Sequence, residues 1–250
     1  MKKQQEKVYD AIHRKLLTRE LNPGMKISER KMAAELGVSR TPLREAVQIL
    51  QQDGVLERQE DGTILVKQSS EEEILEVYEV RLMLEPFCTQ QAARRATTEG
   101  CLFLQECCRK ETALITQMGS GEISQEDFAC CRYLIMMEVE APFHQKISEM
   151  AGNQLVAKMM NQLRLLSRSW VMIPSWERTP AEDVANRRRV ASEHEQIFRA
   201  IEARDEAVAY EAARFHVQNA LDIILNQIKT RQKPVETMEQ KLSRLRQSLR

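Results

Sequence analysis

The chain has 250 residues, of which 42% are apolar and 30% charged, so it carries enough apolar surface to bury a core. Aromatics make up only 5%, with 8 Gly and 7 Pro, which argues against an all-β sandwich or barrel and for a mostly helical chain. Net charge is zero but unevenly placed: 13 basic against 10 acidic residues in 1–70, 17 against 25 in 71–228, and 7 against 2 in 229–250. Basic ends around an acidic middle fit a nucleic-acid-binding end joined to a separate body.

In chain order, residues 4–19 read as a helix with Val8, Ile12 and Leu16 on one face. Asn22-Pro23-Gly24 is a turn. Ser28 caps a helix from Glu29 to Leu36, which Gly37 ends. Ser39 caps a longer helix to Gln52, with Pro42 in its first turn, where backbone N–H groups lack partners anyway. Val55–Arg58 and Ile64–Lys67, split by Asp61-Gly62, form a β-hairpin. His13, in the first helix, is expected at the surface.

Ser69-Ser70 and the acidic run Glu71–Glu73 mark a linker entering a helix N-terminus. Helices alone follow, near 71–96, 101–118, 124–150, 153–172, 180–203 and 206–230, with Asp205 capping the last. Pro174, Trp176 and Pro180 mark the longest loop. Residues 235–250 read as a basic helix with a narrow stripe of Met238, Leu242, Leu245 and Leu249. The domains are therefore 1–68, 69–232 and an extension, 233–250. The fold class is mainly α: a winged helix-turn-helix followed by an all-helical antiparallel bundle.

No uninterrupted apolar run is long enough for a membrane span or a secretory signal. The cysteines, at 88, 101, 107, 108, 130 and 131, contain no Cys-x-x-Cys pair and read as free thiols of a cytoplasmic protein.

Helix, helix, glycine turn, helix and hairpin is the layout in which the second helix of the pair enters the major groove by its N-terminus. Those residues are Ser39, Arg40, Thr41 and Arg44. Arginine can grip guanine O6 and N7 with two hydrogen bonds, and Ser and Thr reach phosphates or bases. Arg30 and Lys31 face the phosphate backbone in this reading, and the hairpin tip at Gly62 approaches the minor groove. A winged helix used for protein contacts is the alternative.

In the body, helical periodicity puts polar residues where apolar ones belong. Glu140 and His144 share the stripe Met137, Glu140, His144, Ile147, Ala151. His194 lies on Val190, His194, Ile197, Ile201, and His216 on Ala209, Ala213, His216, Ala220, Ile224. His194 precedes Asp205 by 11 residues and His216 follows it by 11, so a hairpin turning at Asp205 sets both at one level. Three imidazoles and a carboxylate converging in a helical core make an N/O metal site; separately hydrogen-bonded core histidines are the other reading. Arg81 sits on the stripe Ile74, Val77, Arg81, Leu84, Cys88, where it either forks onto a ligand carboxylate or pairs with Glu85.

The stretches Leu21–Glu29 (LNPGMKISE) and Leu36–Ala46 (LGVSRTPLREA) closely resemble the signature of the GntR family of bacterial transcription regulators. The resemblance implies operator contacts by Arg30, Arg40, Thr41, Arg44 and the wing glycine, Gly62. The acidic wing tip Glu60-Asp61-Gly62 departs from the basic or neutral residues common in relatives. Val77–Arg81 with Leu84-Glu85, Phe143-His144 with Ala151-Gly152-Asn153, and Glu193-His194 through Asp205 to His216 resemble the FCD-type effector domain of the FadR subfamily. That resemblance implies a small organic-acid effector and a divalent metal (zinc, nickel or manganese class) held by three His and, usually, Asp. Glu140 stands at the Asp position, with Pro142 before His144. It also places Asn153 near the pocket, although capping of the next helix is the simpler use. The function expected is a homodimeric, ligand-responsive regulator, a repressor of a catabolic operon that reads a palindromic operator, and not an enzyme. The competing readings are a metal-dependent hydrolase and a DNA-binding protein without effector.

Overall fold

A computed structural model describes residues 3–17, 20–121, 123–172 and 179–232. Pro174, Trp176 and the basic stripe of 235–250 lie outside these residues.

The N-terminal head comprises α1 (Lys3–Leu17), β1 (Lys26–Ile27), α2 (Glu29–Leu36), α3 (Arg40–Gln52), β2 (Leu56–Arg58) and β3 (Ile64–Val66). Ser28 accepts a hydrogen bond from Lys31 N and caps α2, while Gly37, at φ +63°, takes the left-handed turn that ends it. The sheet order is β1-β3-β2, all antiparallel, with Ile27 opposite Ile64 and Leu56 opposite Val66. The two-residue β1 was not read from the sequence, because so short a strand leaves no alternation to see. Val8, Ile12, Leu16, Leu43, Val47, Leu50, Leu56, Ile64 and Val66 close the head's core.

His13 is buried at 1% exposure, its ring 4.4 Å from that of Tyr9, so the surface expectation is corrected. Tyr9 donates to buried Asp53, which also stops α3. The first helix thus buries a polar edge as well as its apolar stripe.

The body comprises α4 (Glu71–Arg94), α5 (Thr98–Met118), α6 (Gln125–Leu134), α7 (Ala141–Met150), α8 (Gln154–Met172), α9 (Pro180–Glu202) and α10 (Glu206–Gln232). Capping boxes Ser70–Glu73 and Thr179–Glu182 start α4 and α9. Thr97 caps α5, which therefore begins three residues before the expected start. α10 packs mainly along α4, and α9 lies between α10 and α5. Asp205 accepts from Val208 N to cap α10.

The expected helix 124–150 is one helical run interrupted by a π-turn, Ile135–Glu140, between α6 and α7. Pro142 supplies the reason. Its ring would clash with a carbonyl of the preceding turn, and it has no N–H to give. The chain inserts a wider turn in which Ala141 N–H reaches five residues back to Met136 O. Around that turn the body meets the head: Tyr133 donates to Asp10 at 2.6 Å, and Met137 packs against the head's core. No helix among the described residues is long and apolar enough to cross a membrane.

Candidate functional site

In the head, Arg40, Thr41 and Arg44 stand exposed among the first five residues of α3, and Ser39 takes the N-cap backbone geometry without a side-chain capping bond. Arg30 is exposed on α2. Gly62 sits at φ +82° on the wing tip with nothing within 4 Å of where a Cβ would lie. The acidic tip has a local use: Asp61 accepts Thr63 N–H at 2.8 Å, and that bond holds its carboxyl below the usual value. Arg58, not singled out in the sequence, donates to Gly62 O at 3.1 Å and to Glu29 at 3.2 Å. Arg44 also reaches Glu29, at 3.5 Å. Glu29 thus stands between Arg44 of α3 and Arg58 of the wing. A groove of about 600 Å³ between α2 and the wing is lined by Lys26, Lys31, Arg58 and Gly62, among others.

In the body, the hairpin at Asp205 sets His194 and His216 side by side, ring centroids 4.8 Å apart, and α7 brings His144 to 5.1 Å from each. One ligand-capable nitrogen from each imidazole lies within 4.8 Å of the others. A tetrahedral ion with metal–nitrogen bonds of about 2.0–2.1 Å sets its nitrogens about 3.4 Å apart, so closure draws the widest pair together by no more than about 1.4 Å, about 0.7 Å for each ring. His194 Nε2 is buried and has no hydrogen-bond partner among the described residues. The donor set and that bare nitrogen fit a divalent cation.

Glu140 is not brought into this cluster. It forms an ion pair with Arg187, itself buried on α9. The carboxylates that touch the imidazoles are others. His194 Nδ1 lies 2.8 Å from Glu111, and His216 Nδ1 lies 2.8 Å from Glu193. Glu85 stands 4.0 Å from His144 Nδ1. Burial, and then the Arg164 guanidinium and the neighbouring imidazoles, hold His144 well below its ordinary pKa. Burial pushes His194 the same way, but Glu111 outweighs it and leaves that imidazole raised.

Arg81 is buried and donates to Glu85 at 2.7 Å, with its guanidinium 4.5 Å over the Tyr78 ring. Arg164 reaches the same space from α8, donating to Ser148 at 2.8 Å, and burial brings its pKa down to about 10. Two guanidinium groups therefore flank Glu85 beside the histidines. Asn153 is exposed and caps α8, accepting from Leu155 N and Val156 N at 3.1 and 3.2 Å. Its side chain is spent on the helix end.

Glu111, Arg164 and Arg187 were missed from the sequence. Glu111 had a visible signal: it interrupts the helical stripe Leu104, Cys108, Ile115, Met118 and is 0% exposed. Arg187 and Arg164 had none, because an arginine on a surface stripe reads the same way until its partner is known. The six cysteines are all free, and burial raises Cys88 and Cys107 to about 11, keeping both as thiols.

Residues 4–66 match the family described as bacterial regulatory proteins, gntR family, and residues 76–219 match the FCD domain. The chain is 26% identical to the gluconate operon transcriptional repressor of Bacillus licheniformis over 185 residues, 74% of this chain and 70% of the relative. It is 28% identical to the Nta operon transcriptional regulator of Aminobacter aminovorans over 211 residues, 83% of this chain and 88% of the relative. In fold it is similar to McbR/YncC of E. coli, with a TM-score of 0.67 and 21% identity over 91% of this chain and 100% of the other.

Proposed function

This chain belongs to the GntR family of bacterial regulatory proteins and carries an FCD domain, a DNA-binding transcription regulator and not an enzyme, and from that premise we propose that a carboxylate effector bound beside a metal in the helical body controls its grip on an operator. The observation that carries the reading is the trio of imidazoles, with a buried Nε2 on His194 that has no partner among the described residues, near Arg81 and Arg164. His144, His194 and His216 would hold the ion; Glu140 could join only by leaving Arg187. When bound, the metal supplies a positive centre that an oxygen of the effector can share. Arg81 would take the effector carboxylate, the partner that suits a forked guanidinium, in place of or together with Glu85.

Arg30, Ser39, Arg40, Thr41, Arg44 and Gly62 would form the operator contacts, with Arg44 on a base edge. A homodimer would place two such heads on a palindrome. The names of similar proteins, gluconate operon repressors from two Bacillus species, support repression of a catabolic operon. The π-turn ends at Glu140 and contains Met137, which packs on the head, with Tyr133 two residues before its start, which supports a route by which an occupied pocket shifts the pose of the heads. The domain divisions at 68/69 and 232/233 belong to the same reading.

The test pairs two measurements on full-length protein. Elemental analysis should find about one divalent metal per chain, lost in His194→Ala. Operator affinity, followed by fluorescence anisotropy, should fall when small hydroxy- or keto-acids are added to metal-loaded wild type and not to the variant. Equal metal content in both proteins would sink the metal assignment. Operator affinity indifferent to every such acid would sink the effector assignment.

A further inference from the structure

We propose that Glu111 and Glu193 are positioning residues for the histidine cluster, each accepting the Nδ1–H of one imidazole and fixing Nε2 as the nitrogen turned to a cation. The inference rests on the metal-holding reading above and extends it to two residues outside the ligand set. An imidazole can present either nitrogen, and which one is free depends on what the other nitrogen bonds. His194 Nδ1 lies 2.8 Å from Glu111 Oε2, and His216 Nδ1 lies 2.8 Å from Glu193 Oε2. A carboxylate only accepts, so the shared proton sits on the imidazole in both pairs. In His194 this leaves Nε2 buried with no hydrogen-bond partner among the described residues.

Both glutamates are themselves fixed. Glu111 is fully buried on α5, across from α9, so its carboxylate cannot swing into solvent. Glu193 is held by a second bond, from Asn219 Nδ2 at 2.7 Å on α10, and by Arg189 at 3.4 Å. Glu193 thus precedes one histidine of the cluster and orients another. α5, α9 and α10 are tied to the site through side chains that never face its centre. Glu111 Oε1 has no partner among the described residues, so the His194 bond is the one hydrogen bond found there to justify a carboxylate at that depth.

The experiment uses the full chain, stripped of metal. At mildly alkaline pH, nitrogen-15 NMR of the apo wild type should show His194 and His216 as the Nδ1–H tautomer. Zinc is then titrated against a chromophoric chelator in wild type, Glu111→Gln, Glu111→Leu, Glu193→Gln and Glu193→Leu, with the apo melting temperature recorded for each. The leucine variants should bind zinc about 10–100-fold more weakly. The glutamine variants, whose amide oxygen still accepts the proton, should recover part of that loss. Unchanged zinc affinity beside a lowered apo melting temperature would overturn the proposal and leave a purely structural role. Nε2–H tautomers in the wild type would overturn the ring orientation itself. Nδ1–H tautomers in a wild type that takes up no zinc would overturn the metal reading beneath it, while the carboxylate-fixed orientation would stand.

Discussion

Tyr133 donates a 2.6 Å hydrogen bond to Asp10 across 123 positions of sequence, joining the helical body to the first helix of the DNA-binding head. Two residues further along the body helix the π-turn begins, and it ends at Glu140, whose carboxylate pairs with Arg187 beside the histidines. A widened turn is a place where one extra residue is stored, and such turns are frequent at functional sites. A change at Glu140 and a change at Tyr133 are therefore two ends of one short element.

Tyr133→Phe tests that relation. The bond is partly exposed, so its loss should cost only about 0.5–1.5 kcal/mol of stability. Operator affinity without effector should remain within a few-fold of wild type. The ratio of affinities with and without effector should shrink, because occupancy would no longer bias the head through Asp10. Anisotropy titrations of both proteins, with and without effector, read the ratio directly, and an unchanged ratio would rule out this route.

Arg44→Ala should relax preference at one base pair by about 1–3 kcal/mol, read as a flattened position in a binding-site selection. Glu29→Gln offers a second arm. Glu29 lies 3.5 Å from Arg44 and 3.2 Å from Arg58, so removing its charge should strengthen binding to any DNA while lowering discrimination. Affinity in both proteins should fall with salt, by about 0.9 log units per log unit for each phosphate neutralised. A selectivity profile identical to wild type in Arg44→Ala would remove that residue from base readout.

Most of the fold was legible because its elements announce themselves locally. Ser28, Gly37, Ser70 and Asp205 do at the helix ends what capping chemistry assigns them. The meeting of His194 and His216 followed from counting equal arms about Asp205. The failures share a cause, which is that partner choice is tertiary. Glu140 sat on the right stripe, yet Arg187, 47 residues away, took its carboxylate. His13 looked like a surface residue because nothing local reveals that Tyr9 and the head's core close over it. The helix expected over 124–150 contains Pro142, and the chain answers it with a π-turn, which periodicity alone does not distinguish from an α-helix six residues long.

Arg81 and Glu85 form a buried pair at 2.7 Å, with side chains 8% and 5% exposed. Removing Arg81 takes away the hydrogen-bonded partner of Glu85 and leaves its carboxylate with the more distant charge of Arg164, in a region poor in water. Arg81→Met alone should therefore destabilise by about 3–5 kcal/mol, whereas Arg81→Met with Glu85→Met should recover part of that loss, Arg164 keeping its hydrogen bond to Ser148 but losing the charge of Glu85. Thermal melts of the metal-free proteins measure the cycle. Both variants should lose the effector response, which separates the function of the pair from its contribution to the fold. A double variant as unstable as the single one would show that the pair is held by more than its mutual charge.

The same pair sets an acid limit. Burial works to raise the Glu85 carboxyl, but Arg81 and then Arg164 outweigh it, and its pKa in the fold lies below the ordinary 4.5. A group depressed on folding stabilises the native state above its unfolded pKa and loses that contribution as pH falls through its folded value. Glu193 has the same sign: burial is outweighed by the His216 hydrogen bond and charge, then by Asn219. His144, also depressed, adds a loss that begins at higher pH, below about 6.5, because the unfolded chain takes up a proton that the buried ring resists. His194 has the opposite sign, raised by Glu111, and its contribution is present below 6.5 and fades as pH rises through its folded value. The melting temperature of the metal-free protein should therefore change little between pH 7 and 6, where the two imidazoles oppose each other. It should then fall steeply below about pH 4.5, where both carboxylates act together. The Arg81→Met, Glu85→Met variant should keep the upper part of the profile and show a shallower acid limb. An acid limb as steep as that of the wild type would assign the loss to other carboxylates.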